Sequence, residues 1–315
     1  MTSGLNLSEL GVSSNTKFSC LAMSTNVSGD LVDPLLVGSG LYAFFSSPFE
    51  KNKLWTETLG TDHDERLSTS NLLLVAFSNQ CAHPALARPV SMILYALLVQ
   101  GRAYSVDGLR FGGYNAGEGL HLDATGYLDD FFQPPKVIPD AVDVRSLRRS
   151  GEIAAGIATI FRSDGDDHYL RLRKGFNSFL NGIKEGIFAD ARLHYFVRAV
   201  EAVIKPQIRG TGDQFVHRGQ CFAGRSEAAR DLLRQLFKMR SAAEHLNPMK
   251  NVLSDCDERV RDSLVALRTY QAELLAGHVY TRLLTDRTLL EEFRTDDQIY
   301  ALWRRQDHEL KALWG

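Results

Sequence analysis

Arg240 and His245 are the two residues whose types and spacing point most directly to chemistry. A guanidinium stays charged at any physiological pH, and its planar fork fits phosphate or carboxylate oxygens. An imidazole titrates near neutrality and can take or give a proton. Both fall in one predicted helix, SEAARDLLRQLFKMRSAAEHLNP over residues 226–248. Ser226 with Glu227 reads as its start, and Asn247-Pro248 as its stop. Ala229, Leu232, Leu233, Leu236 and Ala243 form one apolar stripe at helical spacing, and Arg240 lies inside that stripe. A charge placed there must be ion-paired or sit at an interface. Five residues separate the two side chains by about 140° on a straight helix. They converge only if the helix tightens at its end or a second subunit completes the site. The plain alternative makes His245 an exposed histidine favoured by the helix dipole and Arg240 a paired structural arginine.

A second predicted helix, ARLHYFVRAVEAVI over residues 191–204, places Glu201 on a flank with His194, Arg198 and the following Lys205. The plain reading is a surface pair between Glu201 and Arg198, three residues apart, with His194 a surface histidine. Charge is unevenly spread. Residues 192–240 carry 10 Lys and Arg against 4 Asp and Glu, although the whole chain has a formal net charge of −2. Such a basic run is either a solvated helix surface or an anion-binding face.

Arg240-Ser241-Ala242-Ala243-Glu244-His245 spells Arg-x4-His after an apolar run. In that setting it resembles the ribonuclease motif of the HEPN superfamily. With Leu236 four residues ahead, the wording Leu-x-x-x-Arg-Ser-x-x-x-His is most similar to the Apea-like HEPN branch. The resemblance covers roughly residues 169–286. It implies a bundle of antiparallel helices and a metal-independent endoribonuclease with no cofactor. Arg240 and His245 would be catalytic, Glu201 would orient Arg240, and Ser241 would stand where active members more often carry Asn. Arg198, Arg234 and Lys238 would contact RNA. In that chemistry a base takes the 2′-OH proton, an acid protonates the leaving 5′-oxygen, and a cation stabilises the phosphorane. The resemblance also implies a homodimer, or a higher assembly of such dimers, with the two motifs facing each other. A role as a toxin or antiphage-defence effector, answering a protein or phage trigger, goes with it. The alternative is a non-catalytic HEPN module that binds RNA, nucleotide or a protein partner.

The elements that position these residues divide the chain. At 315 residues, 44% hydrophobic and 23% charged, it is core-forming and long enough for two domains. An extended, Pro-containing stretch near residues 134–144 marks a boundary. Residues 145–315 read as helix after helix: 146–161, 168–185, 191–204, 226–246, 259–284 and a last one over 296–314. A Gly- and Gln-containing stretch, IRGTGDQFVHRGQCFAG, reads as a loop before the motif helix. Residues 1–140 read as a variable sensor or specificity domain, mixed or β-rich. Short strands and loops are expected over 1–70, a strand or helix segment over 71–78, and a helix over 86–100. A Gly-rich passage of turns and strands follows. The fold class is therefore α+β overall, with an all-α HEPN bundle behind.

Several other constellations reduce to plain structure. Gly112-Gly113 with Gly117 and Gly119 has no Gly-Lys-Ser/Thr behind it and reads as turns. Asp62-His63-Asp64-Glu65 reads as a solvated turn rather than a metal site, and Cys81 with His83 is assigned no role. Cys20, Cys81, Cys221 and Cys256 form no CxxC pair and read as reduced thiols. The N-terminus lacks a secretory pattern, and the apolar stretch 92–99 is far short of the roughly 20 residues that span a bilayer. A soluble, cytoplasmic protein with no membrane partner is the expectation.

Overall fold

Runs of apolar residues in the first half pair into one sheet, and longer amphipathic segments in the second half pack as helices. The computed structural model describes residues 10, 12–29, 33–46, 53–80, 83–103, 108–116, 120–127, 140–162, 167–185, 188–207 and 209–314. Most of the expected boundary at 134–144 lies outside them, as do Cys81, Gly117 and Gly119. The chain divides into two compact units, Met1–Ala154 and Ala155–Gly315. The fold class is α+β, with an antiparallel sheet in the first half and helices mostly in the second.

In the first unit β1 (Lys17–Met23), β2 (Leu35–Gly38), β3 (Leu41–Phe44), β4 (Leu72–Ser78), β5 (Gly108–Asn115) and β6 (Leu120–Tyr127) form a six-stranded sheet. Its order is β2-β3-β4-β1-β5-β6 and every neighbouring pair is antiparallel. Residues 71–78 thus resolve as a strand. Its continuous apolar run, LLLVAF, and its burial over almost the whole length suit a central position. One face carries Phe18, Cys20, Leu73, Val75 and Phe111, covered by Trp55, Leu59 and Leu67 of α1 (Lys53–Thr69). The helix α2 (His83–Val99) packs on β1 and β4. Short strands and loops were expected where α1 runs. Its apolar residues are too few and too irregular to give a helical stripe, and Gly60 inside it has φ 72. The Asp62–Glu65 run lies on this helix rather than in a turn. Gly113 sits at a bulge in β5, where an added Cβ would lie 1.7 Å from the His121 carbonyl oxygen. That close backbone approach explains a glycine there.

The helix α3 (Val144–Arg162) runs through the division between the units. In the second unit follow α4 (Leu170–Lys184), α5 (Ala189–Ile204), α6 (Thr211–Ala223), α7 (Glu227–Glu244), a 3₁₀ turn (Met249–Leu253) and α8 (Glu258–Thr285). The short helices α9 (Arg287–Glu291), α10 (Asp296–Leu302) and α11 (Asp307–Trp314) end it. Among its described residues no strand occurs. Two expectations are corrected. The stretch read as a loop before the motif helix contains α6. Its four glycines argued for a loop, but Phe215, Val216 and Phe222 are buried on one face and hold the helix. The single last helix is broken into α10 and α11. Trp303, stacked on Trp314, turns its indole N–H to the Val203 carbonyl (2.9 Å), and Glu309 accepts from the Gln306 amide (2.8 Å).

The centre of this unit is aromatic: Phe176, Phe179, Phe196 and Tyr280 join α4, α5 and α8. Helices α4 and α5 cross closely because Gly175 has no side chain. A Cβ there would lie 2.4 Å from Ala202 Cβ and 2.2 Å from the Tyr280 hydroxyl. Beside these rings lies a buried ion pair, Arg192 Nη2 to Glu273 Oε2 at 2.7 Å, with side chains only 8% and 3% exposed. Removing one partner strands the other charge away from water. Glu273→Ala is therefore expected to cost about 3–5 kcal/mol in denaturant unfolding. A loss below about 1 kcal/mol, the scale of a surface pair, would contradict the pair's structural weight.

Candidate active site

The motif helix α7 starts as its sequence requires. The Ser226 hydroxyl accepts from the Ala229 amide at 3.1 Å, a cap on the first turn. The buried positions are Leu233, Leu236 and Met239, so the core stripe is centred slightly off the one traced by Ala229 and Ala243. Arg240 follows at the edge of that stripe, its side chain 15% exposed. It is ion-paired twice. Nη2 donates to Glu201 Oε2 of α5 at 3.0 Å, and Nη1 meets Glu244 Oε2 one turn further along α7. Each Nη carries two N–H groups, and these contacts use one on each. Arg240 Nε is buried and makes no hydrogen bond among the described residues.

Glu201 is 13% exposed. Burial pushes its carboxyl above the usual 4.5, while the guanidinium of Arg240 and then that of Arg198 pull the other way. A raised folded-state value means that the folded protein holds the proton more tightly than the unfolded chain. The contribution of Glu201 to stability is therefore complete below pH 4.5 and falls as pH rises through the raised value. Urea midpoints measured from pH 4 to 7 are expected to show this loss in the wild type and not in Glu201→Gln. Identical pH slopes in the two proteins would contradict it.

Glu244 also faces Arg198 of α5 at 3.7 Å, so two carboxylates and two guanidinium groups link α5 to α7. Glu244 was not singled out in the sequence. Its position four residues after Arg240 was the available signal. Glu201 does not make the surface pair with Arg198 that spacing alone suggested; it turns to Arg240. His194, one turn before Arg198, is half-buried and feels Glu244, Arg240 and Arg198. Burial first, and the two arginines after it, hold its imidazole below the usual 6.5 against the pull of Glu244. Its ring therefore holds a proton less readily than a free histidine.

The end of α5 is fixed independently. Arg218 Nη1 donates to the carbonyls of Ile204 (2.9 Å) and Lys205 (2.8 Å), a cation at the negative end of the helix. Lys205 bonds Asp296 through both its carboxylate (3.1 Å) and its carbonyl (2.6 Å). Arg198 and Glu201 are thereby held on a well-anchored helix.

His245 is the C-cap of α7, exposed, and its amide donates to Ser241 (3.2 Å) and Ala242 (3.1 Å). Leu246 follows with φ 57, and Asn247 N–H reaches back to the Ala242 carbonyl at 2.9 Å. This is a left-handed helix stop in which leucine stands where glycine is usual. The leucine side chain is 94% exposed. Among the described residues, the His245 ring makes neither a hydrogen bond nor an ion pair, while Arg240 is bonded to Glu201 and Glu244. Ser241 is half-buried beside Arg240. Of the other candidates, Arg198 stands at the cluster. Arg234 is exposed and pairs with Asp231 (3.2 Å). Lys238 is exposed, and two residues from Arg240 correspond to about 160° around the helix, so it does not join the cluster.

Among the described residues no group of three or more His, Cys, Asp or Glu side chains is arranged to hold a metal ion. No described helix is long and apolar enough to cross a membrane. No family model matches the chain, and neither the curated proteins nor the solved structures give a match.

Proposed function

We propose that the chain is a metal-independent endoribonuclease of the HEPN type, with Arg240 and His245 as the reacting groups at a composite dimer site. The observation that carries this reading is the Arg240 side chain, clamped by Glu201 and Glu244 five residues before an exposed histidine at the helix end. Two carboxylates fix the orientation of the guanidinium, and a preoriented cation is worth most where negative charge develops in a transition state. His245 takes the 2′-OH proton or protonates the leaving 5′-oxygen. Arg240 stabilises the phosphorane between them.

Within one chain no hydrogen bond joins Arg240 and His245, so a second copy brings its motif-helix end to the first. Leu246 supports an interface there: it is a fully exposed apolar residue in a strained left-handed conformation, adjacent to His245. Residues 1–140 act as the sensor or specificity module, and the whole serves as a toxin or antiphage-defence effector that answers a protein or phage trigger. A second reading is favoured by one observation. His194 is the histidine that shares the Arg240 cluster in a single chain, so it can act as the base without a partner. A third reading is a non-catalytic HEPN module that binds RNA, nucleotide or a protein partner through the same basic region.

The test is incubation of the purified full chain with mixed single-stranded RNA in EDTA, with DNA of the same sequence in parallel. RNA is expected to shorten and DNA to stay intact, because DNA lacks the 2′-OH. Intact RNA across conditions in which the protein is folded and dimeric would overturn the nuclease reading.

A further inference from the structure

The second unit contains a cavity of about 580 Å³ between α4 and α5, within the size range of small-ligand sites. Leu170, Arg171, Lys174 and Ser178 line it from α4, and Arg198, Glu201 and Ala202 from α5. Pro206 and Asp296 close one end. Lys174 follows Leu170 and Arg171 at four and three residues, Ser178 follows Lys174 at four, and Glu201 and Ala202 follow Arg198 at three and four, so each helix presents a single face to the cavity.

The charges on this lining are unequally committed. Asp296 is bonded by Arg171 (3.2 Å) and Lys205 (3.1 Å), and Glu201 by Arg240 (3.0 Å). Lys174 is exposed and has no ion-pair partner among the described residues. Arg198 is 52% exposed and reaches Glu244 only at 3.7 Å, beyond a hydrogen bond. The two cations left to act on a ligand thus come from opposite walls. Leu170, Ala202 and Pro206 add apolar surface, and Asp167 at the lining can accept from hydroxyl or amino groups. Glu201 is both a wall of this cavity and the partner of Arg240.

We infer that this cavity is a nucleotide subsite for the RNA strand whose phosphodiester lies at Arg240, with Lys174 and Arg198 on a phosphate and Leu170 and Pro206 against the base. The inference rests on the ribonuclease reading for the identity of the strand. An arginine and a lysine on the two helices of a cavity whose lining is part charged and part apolar fit a phosphate with a ring attached. The shared carboxylate places that nucleotide next to the reacting centre. Filling the cavity would also disturb the Glu201–Arg240 contact, so occupancy and the orientation of Arg240 are linked.

The experiment measures binding of a 2′-O-methylated single-stranded oligoribonucleotide, which the nuclease cannot cut, to the full chain and to Lys174→Glu and Arg198→Ala. Inorganic pyrophosphate and ADP are the small-molecule arms. Each variant is expected to weaken oligonucleotide binding at least roughly tenfold, the scale of one charge-assisted hydrogen bond. Each should also shallow the dependence of log K on log salt by about 0.7, the share of one phosphate contact on a single strand. Both variants alter exposed side chains, and unchanged thermal unfolding without ligand confirms that they are folded. Weakened binding in the variants supports the subsite whether or not wild type cuts unmodified RNA. If RNA is cut but neither variant changes affinity or salt slope, the subsite is wrong and the ribonuclease reading stands. If ADP or pyrophosphate binds through Lys174 and the oligonucleotide does not compete, the cavity serves a free nucleotide and the inference is overturned. If the oligonucleotide is not bound at all, both readings fall.

Discussion

His245→Ala is expected to lower the rate of RNA cleavage in EDTA by about 10²–10⁴-fold, the usual scale for loss of a general acid or base. The substitution should leave the fold intact, because the ring is exposed and its structural role is confined to backbone bonds at the end of α7. Loss of activity without loss of stability then assigns the histidine to chemistry. His194→Ala makes the informative comparison, since His194 sits beside Arg240, Arg198 and Glu244 in the same chain. If a partner supplies His245 to Arg240, His194→Ala should cost less than about tenfold, below the usual range for a proton-transfer residue. A larger loss in His194→Ala than in His245→Ala would move the base onto α5 and remove the need for a second copy.

Arg240→Ala is expected to cost on the order of 3 kcal/mol of transition-state stabilisation, as for loss of one preorganised electrostatic contact. It should also cost stability, because Glu201 is left nearly buried without its cation; about 1–3 kcal/mol is the scale for stranding such a group. The two effects can be separated. Adding Glu201→Gln to Arg240→Ala removes the stranded charge, so stability at neutral pH should largely return while cleavage stays low. Arg240→Lys should recover only part of the activity, since an ammonium cannot present the planar fork. If the double variant regains cleavage along with stability, Arg240 is a structural residue and the phosphate contact lies elsewhere.

How much of this was legible in the sequence varies from residue to residue. The four long helices of the second unit were readable from their helical spacing of apolar residues, and α7 from its start and stop as well. The start of α7 at Ser226 could be read from a single side chain, because an N-cap is a local hydrogen bond. The need for Arg240 to be paired was also readable, since it stood on an apolar stripe. Its partners were only half readable. Glu201 offered two readings on its flank, Arg198 by spacing within α5 and Arg240 by the resemblance, and the packing of α5 against α7 turns it to Arg240. Glu244 was passed over despite its helical spacing from Arg240. The helix α6 was hidden by four glycines, and α1 by an irregular pattern whose burial depends on the sheet beneath it. The cavity between α4 and α5 was not legible at all. Its lining comes from both helices, Gly175 at their close crossing included, and is a property of the pair rather than of either sequence.

The central claim, transfer of an RNA phosphodiester to its own 2′-OH at the Arg240 centre, is tested most directly by the chemistry of the product ends. A short RNA cut by the full chain in EDTA is analysed by mass spectrometry beside the same RNA carrying one 2′-deoxy nucleotide at the cleaved position. The expected result is a 2′,3′-cyclic phosphate on one fragment, a 5′-hydroxyl on the other, and no cut at the deoxy position. Fragments bearing 5′-phosphate and 3′-hydroxyl ends, or undiminished cutting at the deoxy position, would contradict it.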